Sequence, residues 1–296
     1  MLLEAGADSY QCTKKGKKYP IHIAIYSGKH ETATLLYDKM KESNEIENVF
    51  DTQRKSLLQY CAENNVNSLA ESILSKNRDL INHCDRLGNT ILHSIAQGET
   101  SVLLTRIMTI LNREEMLNLI QKTNRQKRNV FHVITGFDNI TMLLDLIQFM
   151  DDDNLVEELM LMKDYAGYTA PHYAALRGSF YCLDHFVSST PKLLQSLSEN
   201  GQTLLHTAIA GSSPIRCIAL LIENGLDVNA TDEEERTPLF YTLRTKNSRL
   251  DIIRLLIERY SVDVNKTDDS GQSFIARASQ SEDCHKIMEI VDEFDK

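Results

Sequence analysis

Gly201-Gln202-Thr203-Leu204-Leu205-His206-Thr207-Ala208 decides the fold of this chain, because seven further segments resemble this stretch. Aligned on a Thr/Ser-apolar-Leu-His core, the eight segments begin at residues 19, 56, 90, 129, 169, 203, 237 and 273. Successive segments are 34 to 40 residues apart. A period in this range is typical of a solenoid, in which each unit buries its apolar face only against its neighbours.

Local sequence signals predict two helices in each unit. A Thr or Ser before the apolar run can cap a helix by accepting from backbone N–H groups. Pro at the first helical position loses no hydrogen bond, and Gly225 stands where a helix would end in a left-handed residue. Ile215, Ile218, Leu221 and Ile222 recur at helical spacing. Each unit is therefore predicted to be a turn, a short helix, a loop and a second helix.

The units resemble the ankyrin repeat over nearly the whole chain. The resemblance is carried by Gly88-Asn89-Thr90-Ile91-Leu92-His93, by Arg236-Thr237-Pro238-Leu239, and by the repeat ending Leu220-Leu221-Ile222-Glu223-Asn224-Gly225. It implies an all-α ankyrin-repeat solenoid, with about eight helix-turn-helix repeats and β-turn fingers in a curved, elongated stack.

The predicted organisation is a single domain over residues 1–296. Repeats are expected to start near residues 14, 51, 85, 124, 164, 198, 232 and 268. Residues 1–8 resemble the tail of a preceding repeat, so we expect a fragment of a longer protein or an incomplete first unit. The two longest steps lie between Thr90 and Thr169, where residues 112–117 and 151–156 predict extra helical turns or short inserted helices.

Composition limits the compartment. The 296 residues contain no apolar run of the roughly 18 residues that a membrane span needs, and no secretion signal opens the chain. The six cysteines lie far apart without a C-x-x-C pair. We therefore expect reduced thiols in a cytoplasmic or nuclear protein.

The histidines are predicted to be structural. Those at the fourth place of the motif belong to different layers of the stack, so they cannot share a metal ion; they are His22, His93, His132, His172 and His206. We expect each to bond backbone groups of the neighbouring turn. The chain also has no phosphate loop and no nucleophile motif. No catalytic residue, cofactor or metal ligand is therefore predicted.

Charge is distributed unevenly. Residues 1–148 hold 18 Lys and Arg against 17 Asp and Glu, whereas residues 149–296 hold 14 against 25. The resemblance implies that the turn before each motif projects as a finger along the concave side. The predicted charged contacts are Lys15, Lys17, Lys18, Arg125, Lys127 and Arg128 on early fingers and Glu233, Glu234 and Glu235 on late ones. Such polarity would orient a charged partner, and the alternative is a solvated face that only aids solubility.

The fifth unit carries the predicted uncharged anchors. Tyr165, Tyr168, Leu176 and Arg177, on its finger and its concave helix, are expected to cluster on one face of this unit. Tyr26, Phe137 and Arg244 are expected to line the concave helices of other units. Tyr and Arg are common binding anchors, although packing is the alternative for each.

The predicted function is a non-enzymatic scaffold or adaptor, monomeric by itself, that binds another protein through its concave face and fingers. Residues 88–98 and the unit from Asp263 to Ser273 are similar to the IκB and Bcl-3-like group, which implies a transcription-factor regulator. The ankyrin region of a larger enzyme, channel or ligase is a further alternative. Nucleic acid is disfavoured by the net charge of −10 and by the lack of an aromatic platform.

Overall fold

In a computed structural model, residues 8–41, 49–98, 101–211, 213–243 and 249–294 are described. Arg244 and residues 1–7 of the predicted repeat tail lie outside these ranges. The α-helices are α1 (Pro20–Tyr26), α2 (His30–Lys41), α3 (Leu57–Glu63), α4 (Asn67–Lys76), α5 (Ile91–Gln97), α6 (Val102–Ile110), α7 (Arg113–Gln121), α8 (Val130–Gly136), α9 (Ile140–Met150), α10 (Asp153–Leu161), α11 (Ala170–Arg177), α12 (Phe180–Ser189), α13 (Leu204–Ala210), α14 (Ile215–Glu223), α15 (Leu250–Tyr260), α16 (Phe274–Ala278) and α17 (Cys284–Phe294). Short 3-10 helices cover Arg78–Asn82, Pro191–Gln195 and Pro238–Leu243.

The described part of the chain contains no strand, only two isolated bridges that pair Phe50 with Ser56 and Thr267 with Ser273. The predicted all-α class is therefore confirmed. None of the described helices is both long enough and apolar enough to cross a bilayer.

The predicted caps and helix ends are also present. The Ser56, Thr203 and Ser273 hydroxyls accept hydrogen bonds from backbone amides three residues later. Pro20 opens α1, and Gly225 has a φ of 91° just past the end of α14. These local signals mark the helix ends at which they occur.

The chain forms two compact units, Met1–Ile134 with Thr141–Asp152, and Thr135–Ile140 with Asp153–Lys296. In the first unit, α1 packs on α3 and α3 on α5, while α4 packs on α6. In the second, α11 packs on α13 and α12 on α14. Equivalent helices of successive repeats therefore form layers, with buried side chains such as Leu58, Leu92, Leu205 and Ile218 between them.

Within the described ranges, a third helix follows the helix pair at four places. The inserts predicted after residues 112 and 151 are confirmed as α7 and α10. Two shorter ones, Arg78–Asn82 and Pro191–Gln195, were not expected from the sequence. Each buries a pair of apolar side chains, Leu80 with Ile81 and Leu193 with Leu194, which is too short a pattern to show helical periodicity.

Candidate functional site: the finger turns

Six of the eight fingers are held in shape by the Asp or Asn side chain that opens them. Asp85 Oδ1 accepts hydrogen bonds from the amides of Leu87 and Asn89, both at 2.8 Å. The same pair of bonds, from the residues two and four positions later, is made by Asp51, Asn124, Asp164, Asp232 and Asp268. This is an Asx turn, in which a short polar side chain replaces a backbone acceptor. These bonds within the finger support one turn conformation of its backbone.

The next-to-last residue of each finger has a left-handed backbone. Glycine fills this place at residues 88, 167, 201 and 271, with φ between 70° and 79°. Charged side chains fill it at Lys17, Arg54, Lys127 and Glu235, with φ between 46° and 58°. A residue with a Cβ pays roughly 1–2 kcal/mol for this conformation. Four fingers thus carry a charge at a position that favours glycine.

Three of the motif histidines each join one finger to the repeat before it. His206 Nδ1 accepts from the Thr203 amide at 3.1 Å, and its Nε2 lies 2.9 Å from the carbonyl oxygen of Arg236 in the next finger. His93 bonds Arg128 and His172 bonds Gln202 in the same way, both at 3.0 Å. The predicted bond to the neighbouring turn is confirmed for these three. It is wrong for His22, whose Nδ1 accepts from the Tyr19 amide but whose buried Nε2 has no hydrogen-bond partner among the described residues.

The two ring nitrogens of these histidines have fixed roles. Because Nδ1 faces an amide donor, the proton must sit on Nε2 and the ring must be neutral. Burial lowers the pKa of His172 to about 4, although its bond to the Gln202 carbonyl opposes that shift. Burial lowers the pKa of His93 and of His206 as well. These rings are therefore neutral at physiological pH and serve as hydrogen-bonding struts.

Backbone hydrogen bonds also connect neighbouring fingers within each unit. In the first unit they run from Thr52 to Gly16, from Arg86 to Gln53 and from Arg125 to Leu87, at 2.6 to 3.1 Å between nitrogen and oxygen. In the second unit they run from Glu199 to Gly167, from Glu233 to Asn200 and from Asp269 to Glu234, at 3.0 to 3.1 Å. The fingers of each unit form a continuous row.

The first unit carries what we call the basic finger row, residues 13–18, 51–55, 85–89 and 124–128. Its exposed charged side chains are Lys14, Lys15, Lys17, Arg54, Arg86, Arg125 and Lys127, and Lys18, Lys55 and Arg128 are half-buried. Both carboxylates of the row, Asp51 and Asp85, are buried. The surface of the row therefore has a single sign.

The second unit carries what we call the acidic finger row, residues 198–202, 232–236 and 268–272. The exposed carboxylates are Glu199, Glu233, Glu234, Glu235 and Asp269. The cation of the row, Arg236, is buried and forms ion pairs with Asp232 and Glu234. This surface is uniformly negative.

A buried hydrogen-bond relay supports the acidic row. Tyr168 Oη donates to Gln202 Oε1 at 3.2 Å, Gln202 Nε2 donates to Tyr241 Oη at 2.8 Å, and Tyr241 Oη donates to Asp232 Oδ2 at 2.6 Å. Burial alone would raise the pKa of Asp232, but the bonds from Tyr241 and Arg236 hold it below its ordinary value. The relay connects three consecutive fingers through their bases.

The predicted anchors of the fifth unit are divided between two places. Tyr165 is 68% exposed at the finger, and Tyr168 is half-buried beside it, stacked on His172 with ring centroids 5.7 Å apart. Leu176 is half-buried and Arg177 is exposed, both at the far end of α11. The eight-residue helix α11 separates the two pairs by about 10 Å. They do not form one cluster.

Two other predicted residues are exposed aromatic side chains. Phe137 is 57% exposed and lines a shallow groove with Asp138, Arg177 and Ser179. Tyr26 is exposed at the end of α1, where Lys18 Nζ lies 5.3 Å from its ring centroid. Within the described ranges, no group of three His, Cys, Asp or Glu side chains could hold a metal ion.

Sequence reasoning missed two features of the fingers. The Asp that opens a finger recurs at residues 51, 85, 164, 232 and 268, and this period was a visible signal for the turn lock. Leu87, 53% exposed between Arg86 and Gly88, gave no signal, because a single leucine in a finger is indistinguishable from core filler.

Comparison with known proteins agrees with this geometry. A family model for ankyrin repeats, in three copies, matches residues 131–232. The chain therefore carries ankyrin repeats, the fold is an ankyrin solenoid, and such repeats form protein–protein interaction modules that are generally non-catalytic.

Two curated proteins resemble part of the chain. Ankyrin repeat domain-containing protein 53 of Macaca fascicularis is 37% identical over 84 residues, which cover 27% of this chain and 17% of that protein. The protein of the same name from Homo sapiens is 36% identical over 84 residues, covering 27% and 16%. The match thus spans about a sixth of the length of these relatives.

Proposed function

We propose that this chain is a scaffold or adaptor that binds partner proteins through its two finger rows. The observation that carries the proposal is the single sign of each row, basic on residues 13–18, 51–55, 85–89 and 124–128 and acidic on residues 198–202, 232–236 and 268–272. Rows of one sign steer a partner of opposite charge and disfavour one of like charge.

The finger backbones support this proposal over a solubility coat. A coat needs charge but no fixed geometry, whereas five of the seven turns in the two rows carry Asx bonds and neighbouring turns of each row are joined by backbone hydrogen bonds. Charged residues also occupy left-handed positions at Lys17, Lys127 and Glu235. Backbone strain of this kind is found where a functional side chain is needed.

The test is quantitative affinity purification with three forms of the protein as bait. One is the wild type, one carries Lys15, Arg86 and Arg125 changed to Glu, and one carries Glu199, Glu233 and Glu235 changed to Lys. We expect each reversal to release a distinct set of captured proteins, because the rows favour partners of opposite charge.

Matched controls place the same charge changes off the fingers. Lys29, Lys76 and Arg106 are exposed in the first unit, and Asp184, Glu282 and Asp292 are exposed in the second. Reversing either control set should leave capture unchanged. If the finger variants and their controls capture the same proteins as the wild type, the rows do not bind partners.

The identity of captured proteins also separates the alternatives. A transcription factor would favour the IκB-like regulator, and a substrate or membrane protein would favour the ankyrin region of a larger enzyme, channel or ligase. We further propose a cytoplasmic or nuclear location, which the free state of all six cysteines supports.

A further inference from the structure

The basic finger row has a length and a spacing that limit what it can hold. Backbone hydrogen bonds join its four fingers in order, from Thr52 to Gly16, from Arg86 to Gln53 and from Arg125 to Leu87. Packed helices of neighbouring repeats lie about 9 Å apart, and an extended chain advances about 3.3 Å per residue. The step from one finger to the next therefore corresponds to about three residues of an extended ligand, and the three steps between the four fingers to about nine.

Cations are available on every finger of this row. Lys15, Arg54, Arg86 and Arg125 are exposed, one on each finger in turn. Lys55 is already engaged, since its Nζ lies 2.8 Å from the Glu63 carboxylate at the end of α3. That ion pair also neutralises the acidic side chain next to the second finger. The ligand must then supply the negative charges.

Exposed apolar side chains lie among these cations. Leu87 stands in the third finger directly after Arg86 and is 53% exposed. Ile23 and Tyr26 share one face of α1, and Lys18 extends over the Tyr26 ring. A purely ionic ligand would leave these surfaces in water, whereas a ligand with apolar side chains would bury them favourably.

We infer that the basic finger row binds an extended acidic peptide segment of about nine residues, with carboxylates at about every third position and apolar side chains between them. The inference rests on the proposed function and names the partner of one row. Nucleic acid fits less well, because base stacking needs aromatic platforms and none of the residues that define the basic finger row is aromatic.

Fluorescence anisotropy with labelled decapeptides tests the spacing. The first peptide has Glu at every third position with Leu and Ser between. The second has the same composition with all Glu at one end, and the third replaces Leu by Ser. Single-stranded RNA of equal charge is the fourth probe. We expect the first peptide to bind tightest and its affinity to fall with salt.

Variants of the protein locate the contact. Lys15, Arg86 and Arg125 changed together to Glu should weaken the first peptide by about tenfold or more, because each change replaces attraction with repulsion. The control set Lys29, Lys76 and Arg106 to Glu should not. Leu87→Ser should weaken the first peptide but not the Leu-free third. Circular dichroism of each variant checks that the fold is kept.

The outcomes separate this inference from the proposed function. Equal binding of the first two peptides, no effect of Leu87→Ser, or tighter binding of RNA each overturns the inference. If the peptides fail while reversal of the basic row still releases captured proteins, the inference is wrong and the proposed function stands. If reversal of the basic row also releases no captured protein, the basic row binds no partner. The inference and the proposed function are then both wrong for that row.

Discussion

At the scale of single residues, this chain contains its own control for the motif histidine. Gln59 stands at the fourth place of the second motif, where its Oε1 accepts from the Ser56 amide at 3.1 Å and its Nε2 donates to the Asn89 carbonyl at 2.9 Å. His172 makes the two equivalent hydrogen bonds: its Nδ1 accepts from the Thr169 amide, and its Nε2 donates to the Gln202 carbonyl. The structural role of the histidines was predictable from their spacing, whereas their neutral tautomer required the geometry.

We predict that His172→Gln makes the protein less sensitive to acid. Burial lowers the pKa of His172 from 6.5 to about 4, so the unfolded chain takes up a proton first as the pH falls. The contribution of a neutral His172 is complete above pH 6.5 and is lost progressively towards pH 4. Between pH 7.5 and 5 the wild type should therefore lose about 2 kcal/mol more free energy of unfolding than His172→Gln.

Urea unfolding at both pH values measures this difference. The variant should stay close to the wild type at pH 7.5, since glutamine can make both hydrogen bonds. His30→Gln, at the exposed start of α2, is the matched control and should not alter the acid response. An equal loss in the wild type and in His172→Gln would show that the ring does not titrate as inferred.

At the scale of elements, the long α-helices were easier to predict than the short 3-10 helices and the positions of side chains along a helix. The helix pairs follow from caps and apolar spacing, and α7 and α10 from their acidic or polar starts. The short 3-10 helices at residues 78–82 and 191–195 escaped prediction because one buried pair of side chains sets no period. The sequence also did not predict that Tyr165 and Tyr168 lie at one end of α11 and Leu176 and Arg177 at the other. That separation depends on where the helix begins.

A comparison of the sixth finger with the seventh leads to a prediction at the scale of elements. Glu235 has a φ of 57° at the place where Gly201 has 70° in the preceding finger. Glu235→Gly should raise the free energy of unfolding by about 1 kcal/mol or less, because relief of the left-handed strain exceeds the entropy that glycine adds to the unfolded chain.

Thermal or urea unfolding checks this against Glu233→Gly, which removes the same charge in the same finger at a residue without positive φ. That control should lower stability or leave it unchanged. A stabilising Glu235→Gly variant would mean that the protein keeps a charged side chain there at a cost in stability, which favours a binding role. If both variants lose stability alike, the backbone at Glu235 is not strained.

At the scale of the whole molecule, the uneven distribution of charge could be predicted directly from the sequence. The structure adds which of the charged side chains are exposed on fingers. Residues 149–296 carry 25 acidic against 14 basic side chains, and the structure places five of the carboxylates on exposed finger positions. Repulsion among like charges destabilises a compact state, and salt screens it over a Debye length of about 10 Å at 0.1 M. The identity of a partner could not be predicted, because repeats of one fold bind unrelated surfaces.

We therefore predict that the urea midpoint rises between 0.02 and roughly 0.5 M NaCl, since screening of the net charge of −10 outweighs the loss of exposed ion pairs, each worth less than about 1 kcal/mol. Changing Glu199, Glu233 and Glu235 to Lys should flatten this salt dependence. The control set Asp184, Glu282 and Asp292 to Lys makes the same change in net charge at other exposed sites.

If the two triple variants flatten the salt dependence of the urea midpoint equally, repulsion follows the net charge of the molecule. A larger effect of the finger variant would show that the acidic row concentrates the repulsion, the local field that a basic partner segment would relieve on binding. A midpoint that is independent of salt in the wild type would contradict the premise that repulsion among these carboxylates opposes folding.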